Sequence, residues 1–137
     1  MGTRTTAIML GIALSAVAVV TGLQALQRGP ATAASRDDDL QRASALQELA
    51  GVISRHYEET GALPASLAEL VNSGRMVQLP ADPATQQSYV FEPEEADDSY
   101  TLCASFDTAS AEGEVAEFWM HGAGRSCFRL SPAYGEY

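Results

Sequence analysis

A periodic apolar pattern in residues 38–60 constrains the fold of this chain more than any other feature. Apolar side chains recur at steps of three and four residues, which places them on one side of an α-helix. These positions are Leu40, Ala43, Leu46, Leu49, Val52, Ile53 and Tyr57. The pattern predicts a helix whose apolar face must pack against another surface of the protein.

Both ends of this helix carry residues suited to them. Near the start, Ser35 or a carboxylate of Asp37–Asp39 can accept hydrogen bonds from free amides, and acidic charge suits the positive end of the helix dipole. At the other end, Gly61 predicts a C-terminal cap and Pro64 prevents continuation. The helix is therefore predicted to begin near Asp38 and to end at residue 60.

The segment after this helix changes from helical to strand-like patterning. Ser66 and Glu69 have the spacing of a capping box, which predicts a short second helix that ends at Asn72–Gly74. Alternating residues further on predict an antiparallel sheet, because the connections are too short for crossover helices. The candidate strands are Tyr89–Glu92, Tyr100–Phe106, Val115–Met120 and Cys127–Leu130. The fold class predicted is α+β, with two helices packed on a sheet of three or four strands.

The N-terminal residues 1–27 form an apolar segment in which no charge lies between Arg4 and Arg28. About 20 apolar residues at about 1.5 Å each can cross a hydrocarbon core of about 30 Å. We predict a single-pass signal anchor with its N-terminus inside the cell and the rest of the chain exported. The small residues Ala31–Ala33 leave a cleaved secretory signal open as the alternative.

The remaining sequence has room for one compact domain. Gly29–Pro30 is predicted to end the first helix, which makes residues 28–37 a linker and residues 38–137 the exported domain. From Asp37 onward there are five arginines and 18 acidic residues, so the formal charge of this portion is -13. Such a charge repels nucleic acid and anionic lipid headgroups, so no nucleic-acid partner is predicted. It favours a solvated surface, with a surface for cations or a basic partner as the alternative.

Cys103 and Cys127 are the only cysteines of the chain. In an exported domain an even pair predicts one disulfide, which would close a loop of about 25 residues. Two buried free thiols are the alternative, and a zinc site would need more ligands at organised spacing. A nucleophile pair of Cys127 with His121 can be imagined, but His56 and His121 are predicted to be structural.

An acidic run could supply oxygen ligands to calcium. It consists of Glu92, Glu94, Glu95, Asp97 and Asp98. The run lacks the alternating ligand order and the central glycine of an EF-hand loop, which favours a solvated loop. No metal ligand, cofactor-binding residue or catalytic residue is assigned, and calcium remains open as a ligand.

Two motifs of this chain resemble those of a known family. The first comprises Tyr57, Gly61, Leu63, Pro64, Ser66, Leu67, Glu69 and Leu70, and the second Pro80, Asp82, Pro83, Thr85 and Tyr89. With the apolar N-terminus and the predicted sheet, they resemble the pseudopilins of type II secretion, their type IV pilin relatives and uncharacterised pseudopilin-like bacterial proteins. The likeness covers about residues 38–130, and Tyr100–Phe106 and Trp119–Phe128 look like the C-terminal strands of the last group. Its structural positions are Tyr57, Gly61, Pro64, Ser66, Glu69, Asp82, Pro83, Tyr89, Trp119 and Gly124.

The resemblance implies a non-enzymatic structural or accessory protein of a secretion or pilus-type apparatus, which acts through protein contacts and can form homo-oligomers. The N-terminus departs from the family, because no acidic residue occurs before Asp37 and no glycine precedes a Phe-Thr-Leu-x-Glu-like run. This departure favours the alternative, a free-standing anchored binding module with no filament role. An enzyme is the third hypothesis.

Overall fold

The structure of the protein is a computed structural model, which describes residues 28–94 and 96–132. The chain divides into two compact units, Met1–Ala34 and Ser35–Tyr137, and the second contains the sheet and the apolar core. Among the described residues, no helix combines the length and the hydropathy needed to cross a bilayer. The predicted anchor in residues 1–27 lies outside the described residues.

The first described element is a long helix, α1, which spans Arg28–Thr60. Gly29, Pro30 and Asp37–Asp39 all lie within this helix, which corrects the predictions of a helix break at Gly29–Pro30 and of a cap at Asp37–Asp39. The end is as predicted, because Gly61 has φ 75° and its N–H donates to the carbonyl of Tyr57 at 2.7 Å.

A short helix, α2, spans Leu67–Asn72 and lies after the corner at Pro64. The predicted capping box is wrong, since the Ser66 side chain makes no capping hydrogen bond to any described residue. Instead, the Glu69 carboxylate accepts a hydrogen bond from the N–H of Ala65 at 2.8 Å. In a capping box the Glu69 carboxylate would accept from the N–H of Ser66, so the observed bond lies one residue earlier in the chain.

The described residues form one antiparallel sheet of three strands in the order β1-β2-β3. These strands are β1 Val90–Glu94, β2 Ser99–Phe106 and β3 Gly124–Leu130. Together with the two helices they confirm the α+β fold class. The strand predicted at Val115–Met120 is wrong, because this segment contains a 3₁₀ helix at Glu117–Trp119. Phe118 and Met120 are exposed on either side of buried Trp119, and this alternation imitates a strand.

The core lies between α1, α2 and one face of the sheet. Helix α1 contributes Leu46, Leu49 and Ile53, all fully buried as their spacing predicts, whereas Leu40 is 41% exposed. Buried partners from the rest of the chain include Leu70, Tyr89, Tyr100, Leu102, Phe106, Trp119, Phe128 and Leu130. Cys103 is buried between Leu102 and Ala104 but is absent from this cluster, because alternate residues of a strand face opposite sides of a sheet.

The predicted disulfide between Cys103 and Cys127 is confirmed. The two residues are direct partners in the β2–β3 register, and their Cα atoms are 4.1 Å apart. The bond therefore joins the central strand to an edge strand on the face of the sheet opposite the core.

Replacing both cysteines with alanine is expected to lower the free energy of unfolding by about 3 kcal/mol, because the unfolded chain regains the entropy of an open loop. Urea unfolding of the oxidised full chain and of the double variant measures this difference. Reduction of the wild type should reproduce most of the loss. Equal stability of the oxidised wild type and the double variant would show that the bond does not staple the fold.

Candidate functional site

A buried arginine on α1 is the centre of the polar interactions of this unit. Arg42 is 3% exposed, and its guanidinium contacts three carboxylates. Its Nε donates to Asp82 Oδ2 at 2.6 Å, and its Nη1 donates to Asp39 Oδ1 at 2.7 Å and to Asp107 Oδ2 at 2.8 Å. We call these four residues the Arg42 cluster. It joins α1, the loop before β1 and the exit of β2.

Asp39 completes the link between α1 and the end of β2. Its Oδ1 accepts a hydrogen bond from the N–H of Asp107 at 2.9 Å, and its Oδ2 accepts from the N–H and the hydroxyl of Thr108, both at 2.8 Å. Burial acts to raise the pKa of Asp39, but these bonds and the one from Arg42 outweigh burial and lower it. Asp39 is therefore a structural anion one turn before Arg42, not a cap of the helix.

Asp82 shapes the loop before β1 and binds Arg42 at the same time. Its Oδ1 accepts hydrogen bonds from the N–H groups of Ala84 at 3.0 Å and Thr85 at 2.9 Å, an arrangement typical of a side-chain-stabilised turn. The hydrogen bond from Arg42 is the main reason that the pKa of Asp82 falls to about 2. The proline-rich turn predicted at residues 80–85 thus has its conformation fixed from α1.

The depressed pKa of Asp82 predicts a loss of stability in acid. A carboxyl with a pKa of 3.8 in the unfolded chain and about 2 in the folded one stabilises the fold above pH 4, and this contribution disappears as the pH falls toward 2. We expect the free energy of unfolding to decrease by about 2 kcal/mol over this interval from Asp82 alone. Urea unfolding of the full chain between pH 6 and pH 2 measures the slope.

The variant Asp82→Asn should have a flatter dependence on pH than the wild type, because its side chain does not titrate. Gln86→Asn changes the same turn but keeps the carboxylate, so it should retain the wild-type slope. Equal slopes of the free energy of unfolding against pH for Asp82→Asn and the wild type would contradict the assignment of the acid loss to Asp82.

A groove of about 320 Å³ opens beside the Arg42 cluster. Its walls include Asp82 and Tyr89 from the loop before β1, and Cys103 and Arg125 from the sheet. Tyr89 is 7% exposed, and its hydroxyl has no hydrogen-bond partner among the described residues. Burial, assisted by the negative charge of Asp82, raises the pKa of Tyr89 to about 12, so this hydroxyl remains neutral at physiological pH.

The remaining residues of the family motifs occupy structural places. The hydroxyl of Tyr57 bonds to the Asp98 carboxylate in the loop between β1 and β2, which raises its pKa. Pro64 is fully buried at the corner before α2. Pro83 lies in the turn that follows Asp82, and Gly124 begins β3 with φ 97°, a conformation that favours glycine. These residues are spread over the unit, whereas Asp82, Thr85 and Tyr89 of the second motif line the groove.

Both histidines are buried. His121 stacks on Phe106 with ring centroids 3.5 Å apart, and His56 Nε2 lies 3.8 Å from Glu69 Oε1. A nucleophile pair of Cys127 with His121 is ruled out in the oxidised protein, because the sulfur of Cys127 is bonded to Cys103. His121 thus packs against an aromatic ring and His56 lies near a carboxylate, which are contacts typical of structural histidines.

The acidic run consists of exposed side chains at the four positions that the structure describes, which are Glu92, Glu94, Asp97 and Asp98. Arg129 pairs with Asp97 through Nη2, and Arg125 Nη2 lies 3.9 Å from Glu92 Oε1. Within residues 28–94 and 96–132, no group of three or more histidine, cysteine or acidic side chains is arranged to hold a metal ion.

The Arg42 cluster was not predicted from the sequence. The partners of Arg42 other than Asp39 are 40 and 65 residues away along the chain, so helical periodicity contains no signal for them. The sequence signal that could have indicated a buried ion pair was the position of Arg42 beside apolar Ala43. Comparison of the chain with protein-family models, with curated proteins and with solved structures found no match.

Proposed function

We propose that this chain is a membrane-anchored, pseudopilin-like structural or accessory protein of a secretion or pilus-type apparatus. Residues 1–27 hold it in the cytoplasmic membrane, and its domain acts by protein contacts on the outer side. The observation that carries this proposal is the order of parts. A helix of 33 residues, a corner, a short helix and a three-stranded antiparallel sheet follow one another as in the family that the motifs resemble.

The course of α1 supports this function over the alternative. A helix break at Gly29–Pro30 would separate the domain from any helix before it and would favour a free-standing module. Both residues are instead helical, which removes this argument for the alternative. The alternative retains one argument from the sequence, since no acidic residue occurs before Asp37 to set the register of subunits in a fibre.

The chemistry of the polar residues also supports action by contacts. The donors of Arg42 are directed at carboxylates of the same chain, and Cys127 is bonded to Cys103. These groups hold the fold together, and the proposal assigns them no reaction. The exposed apolar side chains Leu40, Phe118 and Met120 are the candidates for contact with a partner.

Photo-crosslinking of the full chain in native membranes tests the proposal. A photoreactive residue is placed singly at Phe118, at Met120 and at Leu40 on α1, and the control is Val77, which is 97% exposed on a loop. We expect products with other copies of the chain or with secretion or pilus subunits from at least one site and not from Val77. Products with an unrelated envelope protein alone would favour the binding module, and monomer at every site would overturn the proposal.

A further inference from the structure

The two sulfurs of the disulfide differ in their access to solvent. Cys103 lies on the central strand β2 and is 2% exposed, whereas Cys127 lies on the edge strand β3 and is exposed. Both belong to the face of the sheet opposite the core. Residue exposure therefore favours attack at Cys127 over Cys103, although Cys103 also lines the groove beside the Arg42 cluster.

A guanidinium lies against the buried sulfur. Arg125 is two residues before Cys127, so its side chain is on the same face of β3, and its Nη2 lies 3.6 Å from Cys103 Sγ. Glu92 shares this guanidinium at 3.9 Å, and both of these side chains are more than half exposed. A positive charge beside a sulfur stabilises the thiolate form, and a stabilised thiolate is a better leaving group in exchange.

We propose that the Cys103–Cys127 disulfide is a site of covalent exchange with low-molecular-weight thiols, with Cys127 as the sulfur attacked and Cys103 as the leaving group. An external thiolate forms a new bond to Cys127 Sγ. The bond between the two protein sulfurs breaks, and its electron pair remains on Cys103 Sγ as a thiolate beside Arg125. A second external thiolate then attacks the mixed disulfide, which releases Cys127 as a thiolate. In total the protein disulfide gains two electrons, and two external thiols are oxidised to one disulfide.

This site is independent of the proposed function, since it requires only the sheet and its two sulfurs. The exchange makes the covalent link between β2 and β3 reversible. External thiol opens the disulfide by forming a mixed disulfide at Cys127. When external thiol is removed, the Cys103 thiolate attacks this mixed disulfide and restores the bond.

The regiochemistry is tested with 2-mercaptoethanol as the probe and the oxidised full chain in its folded state. The reaction is stopped with iodoacetamide at early times, and peptides are analysed by mass spectrometry. We expect the mercaptoethanol adduct on Cys127 and the alkyl group on Cys103. Adducts equally divided between the sulfurs, an adduct mainly on Cys103, or no reaction before unfolding would each overturn the proposal.

The role of Arg125 is tested by the rate of opening. Arg125→Gln should slow opening about threefold, because the leaving thiolate loses its positive neighbour, and Arg125→Lys should restore most of the rate. Arg129→Gln is the matched control, since Arg129 lies on the same strand but bonds to Asp97 and Ser99. Equal rates for Arg125→Gln and the wild type, or equal slowing in both glutamine variants, would contradict a specific role, and urea unfolding confirms that each variant is folded.

Discussion

Replacing Arg42 with alanine is expected to lower the free energy of unfolding by about 3–5 kcal/mol, because the change leaves buried carboxylates without their counter-charge. The Asp39 and Asp82 side chains are 4% and 13% exposed, so water cannot replace the guanidinium fully. Urea unfolding of the full chain, followed by the fluorescence of its single tryptophan, measures the loss. A loss of this size is a large fraction of the stability of a small domain.

Two further measurements distinguish the loss of the Arg42 charge from the loss of a large side chain. Arg42→Lys keeps the charge but not the planar fork, so we expect an intermediate loss of stability. The difference between Arg42→Ala and the wild type should also shrink as the pH falls toward 2, because a carboxyl group that becomes neutral no longer needs the guanidinium. Arg55→Ala, on an exposed part of α1, is the control and should change stability by less than about 0.5 kcal/mol. A similar small change in Arg42→Ala would refute the structural role of the cluster.

Replacing Trp119 with alanine is expected to cost about 3–5 kcal/mol through lost burial and the cavity that remains. Trp119 is 2% exposed, and its ring packs on Phe128 with centroids 4.9 Å apart. The side chain belongs to the apolar core, and its contact with Phe128 links the 3₁₀ helix to β3. Because the variant has no tryptophan, circular dichroism in urea must follow its unfolding.

The neighbour of Trp119 provides the matched control for this substitution. Phe118 is 40% exposed and contacts the rings of Trp119 and Phe128 from outside. We expect Phe118→Ala to cost about 1 kcal/mol, since only part of its surface leaves contact. A larger loss for Phe118→Ala than for Trp119→Ala would contradict the assignment of the core.

The sequence predicted those parts of the fold that depend on local physics. The apolar stripe of α1 is set by helical spacing, and Gly61 ends the helix because it tolerates a positive φ. The pairing of the two cysteines followed from their number and the inferred compartment. The predictions that failed were also local, because Gly29–Pro30 and Ser66 have strong preferences that the rest of the chain is free to override.

The site could be predicted only in part. Asp82 was identified as a motif residue of a turn, yet its main partner is Arg42 on a helix 40 residues earlier. Asp39 was assigned to the helix dipole, whereas its carboxylate reaches residues 107 and 108. Such contacts arise only when α1 packs along the sheet, and no spacing in the sequence encodes them.

An exported domain, held at the membrane by an uncleaved N-terminal segment and stapled by one disulfide, is the central claim for this protein. The intact mass of the protein purified from membranes without reductant, compared before and after reduction and alkylation, tests it most directly. We expect a chain that retains residues 1–27 and contains no free thiol, with two alkyl groups gained only after reduction. A mass that begins at Ala34, or one with two thiols free before reduction, would contradict it.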